Sequence, residues 1–80
     1  METEAKELLE YLARSLVDNA EEVRVTATET DQALVLELSV AKADIGKVIG
    51  KQGRIARALR TIVKASAVKN GKRAIVEIVD

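Results

Sequence analysis

Residues 44–62 read DIGKVIGKQGRIARALRTI, and the segment Gly50-Lys51-Gln52-Gly53 near the centre is the feature around which the whole chain can be interpreted. A glycine at each end of a short turn lets the backbone fold tightly and lets another chain approach closely, because glycine has no Cβ. The turn leads into a helical pattern, and a helix N-terminus attracts anions through unpaired N–H groups and the positive end of its dipole. Lys51 and Arg54 add positive charge at the same place. These residue types predict a contact with backbone phosphates.

The charge of the chain is divided between its two halves, although the formal net charge is zero. Residues 1–41 contain ten acidic and three basic residues, whereas residues 42–80 contain ten basic and three acidic ones. Such a separation produces a strong local field even when the total cancels. A solvated, lysine-rich helix face is the plain alternative, but the basic half coincides with the glycine turn, which favours a phosphate-binding surface.

The composition limits the class of protein. Eighty residues are enough for one domain, spanning 1–80, with a modest core. The chain has no Cys and no His, so it lacks disulfides, thiolate metal ligands and the commonest general acid or base. The acidic N-terminus has no apolar segment typical of a secretory signal, and no apolar run approaches the roughly 20 residues of a membrane span. We expect a soluble cytoplasmic protein that is not an enzyme and holds no cofactor or metal.

Hydrophobic periodicity predicts the element order α-β-β-α-α-β. The predicted elements are helix 4–17, strands 22–28 and 33–40, a short helix through Ile49 with Asp44 as N-cap, helix 54–68, and strand 73–79. In the last helix, helical spacing predicts a core-facing stripe of Ile55, Ala58, Leu59, Ile62, Val63 and Ser66. The two helices between the second and third strands suit a parallel crossover, so we expect an α+β fold. Its three-stranded mixed sheet would be covered on one face by three helices.

The segment Val48-Ile49-Gly50-Lys51-Gln52-Gly53-Arg54-Ile55 resembles the KH-domain motif, in which an apolar pair precedes G-x-x-G and an apolar residue follows two positions later. The element order, with an extra helix and strand before a β-α-α-β core, resembles the type II, prokaryotic KH fold. The resemblance covers essentially the whole chain. Its length is similar to that of the small bacterial single-domain proteins of the KhpA family.

The resemblance implies that the chain binds single-stranded RNA, as an RNA chaperone or post-transcriptional regulator, by clamping about four unpaired nucleotides in a groove. Part of the strand near Leu38 to Val40 would form the opposite wall of that groove. The implied RNA-binding residues are Gly50, Lys51, Gln52 and Gly53 on the phosphates, Ile45, Val48, Ile49 and Ile55 as an apolar floor, Arg54 and Arg57 along the rim, and Gly46.

Each of these assignments has a purely structural alternative. The apolar residues of the floor, Val48 and Ile55 above all, could belong mainly to the core. Gly46 could be a close helix contact, and the two loop glycines could serve only the turn. Arg60 and Lys64 are interpreted as solvated side chains rather than as RNA contacts.

The proposed groove has no aromatic side chain, since Tyr11 in the first helix is the only aromatic residue of the chain. Base stacking on aromatic rings contributes about 1–3 kcal/mol per base, so one copy should bind weakly, with low sequence specificity and a steep dependence on salt. Weak sites gain from being doubled. The family resemblance implies a homodimer or a pairing with a larger KH-containing protein of the Jag type. Val35, Ile75 and Val79 on the second face of the sheet are a candidate contact surface.

Three other functions are weighed. The segment from Gly46 to Gln52 resembles a phosphate-binding P-loop only faintly, because it has three residues between its glycines and Gln52 where a hydroxyl should bind Mg²⁺. A KH fold used only for protein interaction is disfavoured by the intact glycines and by Lys51. Single-stranded DNA remains an alternative ligand, because the residues do not indicate how a 2′-hydroxyl would be recognised.

Overall fold

The computed structural model describes residues 2–68, 71 and 73–79 and has the element order expected from the sequence. Short 3-10 turns cover Ala20–Glu22, Lys42–Asp44 and Lys51–Gly53. The helices are α1 (Glu2–Leu16), α2 (Ile45–Ile49) and α3 (Arg54–Val68), and the strands are β1 (Arg24–Glu29), β2 (Ala33–Ser39) and β3 (Arg73–Val79). The predicted α+β fold with a three-stranded mixed sheet and three helices is therefore confirmed.

The sheet has the strand order β1-β2-β3, so β2 lies in the middle and both outer strands have a free edge. β1 and β2 pair antiparallel, with Ala27 opposite Leu36, and β2 pairs parallel with β3, with Leu36 opposite Val76. Thr30 closes the hairpin, because its hydroxyl oxygen accepts hydrogen bonds from the N–H groups of Gln32 and Ala33, at 3.3 and 3.0 Å. The helical crossover between β2 and β3 is the connection that parallel strands require.

The core lies between one face of the sheet and the helices α1 and α3, while α2 packs against α3. Alternate residues of each strand point into it, as the period of a half-buried strand requires. Its largest fully buried side chains are Leu9, Leu36, Leu38, Val23, Val48 and Val63. On the other face of the sheet, Val35 is partly buried and Ile75 and Val79 are exposed. Within the described part of the chain, no helix is long and apolar enough to cross a membrane.

The buried stripe of α3 differs from the predicted one. Leu59 and Val63 are buried as expected, but Ala58 and Ile62 are exposed, and Ile62 retains 43% of its accessible surface. The remaining buried positions of α3 are Ala56 and Ala67. The predicted stripe followed the large apolar residues, whereas the helix turns two of its four alanines, Ala56 and Ala67, inward. Because alanine is small, it allows two packed elements to approach each other closely. It contributes little to a hydrophobic pattern, so its burial is hard to predict from the sequence.

Candidate nucleic-acid interface

The turn between α2 and α3 contains three residues in the left-handed region of backbone conformation. Gly50, Gln52 and Gly53 have φ angles of 77°, 58° and 72°. The N–H of Gly50 donates to the carbonyl of Gly46 at 2.9 Å, and the N–H of Gly53 donates to the carbonyl of Gly50 at 3.1 Å. The loop is therefore closed by its own backbone hydrogen bonds, and the side chains of Lys51 and Gln52 at its tip are exposed.

The two loop glycines are needed for different reasons. A Cβ on Gly50 would lie 2.6 Å from Cγ1 of Ile55, so the first turn of α3 leaves no space for a side chain. A Cβ on Gly53 would meet nothing within 4 Å, so only the backbone angle favours glycine there. A Cβ on Gly46 would also meet nothing within 4 Å, and the residue is exposed. The interpretation of Gly46 as a close helix contact is therefore wrong.

Three basic side chains surround the start of α3. Lys51, Arg54 and Arg57 are all exposed, and the Nη2 of Arg54 donates to Oε1 of Gln52 at 3.2 Å. Within the described residues, none of these three cations forms an ion pair with a carboxylate. Their charges lie at the N-terminal end of a 15-residue helix, which carries the positive end of the helix dipole. This end can therefore attract an anion.

A groove of about 640 Å³ runs between α3 and the free edge of β3. The Nε of Arg60 crosses from α3 and donates to the carbonyl of Val76 at 3.2 Å, which shows that this carbonyl points away from β2. Because backbone groups alternate along a strand, Ala74 and Ile78 present theirs to the same edge. The groove is lined by Arg60, Lys64, Val68, Gly71, Arg73, Ala74, Ile75 and Val76. It offers both positive charge and the edge of a strand to a ligand.

The expectation that Leu38 to Val40 forms the wall opposite the loop is wrong. Leu38 and Val40 are buried in the core, and β2 is the central strand with both edges paired. The strand with an accessible edge on the α3 side is β3. The wall of the groove opposite the basic side of α3 is therefore β3. The sequence interpretation did not include this strand in the site.

The four apolar residues of the predicted floor have different environments. Val48 is fully buried in the core, so its side chain has no surface that a base could contact, and the structural alternative holds for it. Ile45 and Ile55 are partly buried and pack against the core. Ile49 is 37% exposed, and it is the member of this set with the most accessible side chain. Any apolar contact to a base from this set would therefore involve chiefly Ile49.

Asp44, just before α2, is a buried carboxylate that binds the end of α1. It retains 1% of its accessible surface. Its Oδ2 accepts hydrogen bonds from the backbone N–H and the side-chain amide of Asn19, both at 3.0 Å, and its Oδ1 accepts one from the N–H of Asp18 at 3.3 Å. Lys47 lies 3.7 Å from Oδ1 of Asp44 and 3.4 Å from Oδ2 of Asp18. The carboxylate thus joins two elements that are 25 residues apart in sequence.

The prediction that Asp44 is the N-cap of α2 is correct in position and wrong in function. Asp44 immediately precedes α2, but its side chain makes no capping hydrogen bond to that helix. Burial alone would raise the pKa of Asp44, because it disfavours the charged form. The hydrogen bonds from Asn19 and Asp18 and the charge of Lys47 outweigh burial, so the pKa of Asp44 lies below its ordinary value. The group is therefore a carboxylate at neutral pH.

The sequence interpretation missed several residues that line the groove, Arg60, Lys64 and Arg73 among them. Arg57, Arg60 and Lys64 are spaced i, i+3 and i+7, which places them on one side of α3. Together with a parallel last strand at the edge of the sheet, this spacing was the available signal. Within the part of the chain that is described, no group of three or more acidic or metal-binding side chains could hold a metal ion.

Comparison with protein families gives one assignment for nearly the whole chain. A family model described as KhpA/KhpB, KH domain, matches residues 6–78. The RNA-binding protein KhpA of Clostridium acetobutylicum is 58% identical over 74 residues, which cover 92% of this chain and 99% of that protein. The RNA-binding protein KhpA of Treponema pallidum is 51% identical over 80 residues and covers all of both chains.

Among solved structures, the chain is similar to part of Era. Aquifex aeolicus Era bound to GDP and AlF4⁻ matches with a TM-score of 0.68 at 19% identity, over 92% of this chain and 29% of that one. A structure of Era with MgGDPNP and nucleotides of 16S ribosomal RNA matches with a TM-score of 0.66 at 20% identity, over 92% of this chain and 28% of that one. The chain thus spans less than a third of Era, and at this identity the likeness concerns the fold alone.

Proposed function

The chain belongs to the KhpA/KhpB family of KH domains, and from that premise we propose that it binds single-stranded RNA and clamps about four nucleotides with the loop Gly50–Gly53. The observation that carries the proposal is the self-closed loop at the start of α3, beside three exposed cations without ion pairs among the described residues. The missing side chain of Gly53 leaves open space beside the loop backbone, so a sugar-phosphate chain can approach it closely there.

The phosphates lie against the loop and the first turn of α3. Lys51 supplies a point charge at the loop tip, while Arg54 and Arg57 supply donors along the rim. The positive end of the α3 dipole adds to the attraction for phosphates. Arg54 first has to release its bond to Gln52, which is exposed and therefore readily exchanged for a phosphate contact.

The bases lie in the groove between α3 and β3, where the free edge of the last strand offers backbone donors and acceptors. From Arg54 to Lys64 the helix extends by about 15 Å at 1.5 Å per residue, which is the span of a few nucleotides. Arg60 and Lys64 continue the positive charge along that distance. Backbone groups and flexible cations recognise bases weakly, so sequence specificity is low.

Affinity from one copy is modest, because no aromatic ring of this surface stacks on a base. A second site raises the effective affinity when both engage one RNA. A second copy of the chain, or a larger KH-containing protein of the Jag type, supplies that site in our proposal. The exposed apolar residue Val79, on the open face of the sheet, is available for such a contact.

The test is a titration of unstructured RNA by fluorescence anisotropy at two salt concentrations. The variant Lys51→Asp/Gln52→Asp places two carboxylates at the loop tip, where both side chains are exposed. The matched control Arg14→Asp/Gln32→Asp makes the same change in net charge on α1 and the β-hairpin, again at exposed positions. Removing one charge-assisted hydrogen bond costs about 1.5–3 kcal/mol, so the loop variant should bind more than about tenfold more weakly than the control.

The outcomes separate the candidate functions. The loop variant and the control could bind RNA equally well while both keep a native circular dichroism spectrum. This result would show that the phosphates bind elsewhere than at the loop. A native chain that binds no RNA at micromolar concentration would refute the proposal, and a KH fold used for protein interaction would take its place.

A further inference from the structure

The buried Asp44 lies outside the proposed phosphate clamp, and its hydrogen bonds connect two separate segments of the chain. Two consecutive backbone N–H groups, those of Asp18 and Asn19, converge on its carboxylate, in the manner of a backbone concavity that binds an anion. The side-chain amide of Asn19 adds a third hydrogen bond. Here the anion belongs to the protein itself, and it ties the segment after α1 to the segment before α2.

The helix that carries the loop is short, so it depends on such contacts. α2 has five residues, Ile45–Ile49, which is far below the length at which an isolated helix is stable in water. Val48 in the core and the partly buried Ile45 hold one side of the helix by apolar contacts. Such contacts are not directional. The hydrogen bonds of Asp44 just before α2 add a directional anchor at its start.

Any rotation of α2 is transmitted directly to the loop. Gly50 follows α2 without an intervening residue, and its N–H is bonded to Gly46 of that helix at 2.9 Å. The N–H of Gly53 is in turn bonded to the carbonyl of Gly50 at 3.1 Å. At 1.5 Å per residue the anchor at Asp44 lies about 9 Å along the helix axis from the loop. The orientation of the phosphate-binding groups is thus set from the end of α1.

We propose that Asp44 is a positioning residue for the phosphate-binding loop, holding α2 and the loop Gly50–Gly53 in the conformation that accepts RNA. The inference rests on the proposed function, since it assigns Asp44 a part in that same site. Lys47 belongs to this anchor and not to the RNA surface. Its ammonium group is already shared by Asp18 and Asp44.

Removing the charge of Asp44 and removing its hold on the loop should have opposite effects on RNA binding. Asp44→Asn removes one negative charge, which by electrostatics alone should tighten binding to a polyanion. The amide keeps one oxygen, so at least one of the two backbone N–H groups then faces an NH₂ group instead of an acceptor. If Asp44 positions the loop, RNA binding weakens although the net charge has become more positive.

The matched control is Asp18→Asn, which makes the same change in net charge next to the same lysine. The side chain of Asp18 is 79% exposed, and its backbone N–H stays free to bond Asp44. We expect Asp18→Asn to bind an unstructured RNA as tightly as the native chain or slightly more tightly, and Asp44→Asn to bind about tenfold more weakly. Asn19→Ala removes one of the three hydrogen bonds at unchanged net charge, and we expect a smaller loss of affinity from it.

The salt dependence distinguishes a displaced loop from a merely less stable fold. Partial unfolding lowers the apparent affinity but leaves the slope of log K against log salt unchanged, because the folded fraction binds the same phosphates. A displaced loop neutralises fewer phosphates, so the slope becomes shallower by about 0.7 for each phosphate of a single strand that the loop no longer reaches. A weaker affinity with an unchanged slope for Asp44→Asn would overturn the assignment.

A second measurement needs no RNA and therefore stands apart from the proposed function. In ¹H–¹⁵N spectra, Asp44→Asn and Asn19→Ala should shift the amide signals of Gly50 and Gly53 and speed their hydrogen exchange, whereas Asp18→Asn should leave both unchanged. Loop signals that are the same in all three variants would refute the positioning role. If instead the loop signals shift but the native chain binds no RNA, the proposed function fails and the structural coupling stands.

Discussion

Replacing Gly50 by alanine tests whether the proposed phosphate-binding loop is held by a specific contact or only by a flexible turn. Gly50 has φ 77° and ψ 173°, a combination essentially limited to glycine. An alanine Cβ there would lie 2.6 Å from Cγ1 of Ile55 and 2.9 Å from its Cβ and Cδ1. The isoleucine cannot easily move aside, because its side chain is β-branched and packs against the core.

The magnitude follows from these two effects. A side chain in a sparsely populated backbone region costs about 1–3 kcal/mol. Overpacking against a side chain in contact with the core costs about 1–3 kcal/mol in addition. The sum of about 2–6 kcal/mol is a large part of the roughly 4–12 kcal/mol expected for an 80-residue domain. At about 4–8 °C for each kcal/mol, the melting temperature should fall by roughly 10 °C or more.

The other glycines of the segment provide graded controls for urea unfolding followed by circular dichroism. Gly53→Ala meets the backbone penalty without a clash, so it should cost only about 1–2 kcal/mol. Gly46→Ala fills open space on an exposed helical position and should stabilise the protein by about 0.5–1 kcal/mol. Equal denaturant slopes in the three variants would show that the differences lie in stability.

The contact with Ile55 can be isolated by a double-mutant cycle. In an Ile55→Ala background the atoms Cγ1 and Cδ1 are absent, so Gly50→Ala should cost less than it does in the native chain. Equal costs in the two backgrounds, or equal costs for Gly50→Ala and Gly53→Ala, would refute the reasoning from close packing.

Two further predictions concern the anchor and the apolar floor. The pKa of Asp44 is lower in the folded chain, so its ionisation stabilises the fold above the ordinary pKa of an aspartate, and this contribution disappears as the pH falls through the folded-state pKa. The difference in unfolding free energy between the native chain and Asp44→Asn should therefore be largest at neutral pH and shrink as the pH falls below the ordinary pKa of an aspartate, and a difference that stays constant over that fall in pH would contradict the assignment. Val48→Ala should lower stability, because it leaves a cavity in the core, without changing the RNA affinity of the folded protein. Ile49→Ala should weaken RNA binding with little effect on stability, and the reverse pattern in anisotropy and urea titrations would show that Val48 is the apolar contact.

The fold was largely predictable from the sequence. At most positions the hydrophobic pattern of each segment agrees with the helix or strand that the folded chain forms there. The helix 54–68 and the strand 73–79 were predicted with the bounds that the structure has. Period-two patterns located both strands of the hairpin to within about two residues at either end. Where the prediction of α3 failed, at Ala58 and Ile62, large apolar residues on more than one side of the helix left its rotation undetermined.

The site was less predictable, because two of its determinants depend on contacts between distant segments. The anchoring of Asp44 to Asn19 spans 25 residues, and an aspartate before a helix is by itself an ordinary N-cap signal. The groove wall was assigned to β2, although a central strand has no free edge to offer a ligand. The predicted parallel crossover did not by itself make β2 and β3 neighbours in the sheet. The observed strand order shows that β2 is central and that β3 has the accessible edge.

The absence of aromatic residues from the proposed RNA surface makes the stiffness of the loop more important. In the proposed mode of binding, which lacks stacking, the binding energy comes from phosphate contacts. Each contact then adds affinity only if ordering the groups that make it costs little free energy. The loop is fixed on one side by the packing of Gly50 against Ile55 and on the other by the anchoring of α2 through Asp44. Loosening either side should therefore reduce RNA affinity and the salt slope together, even though neither Ile55 nor Asp44 has to touch the RNA.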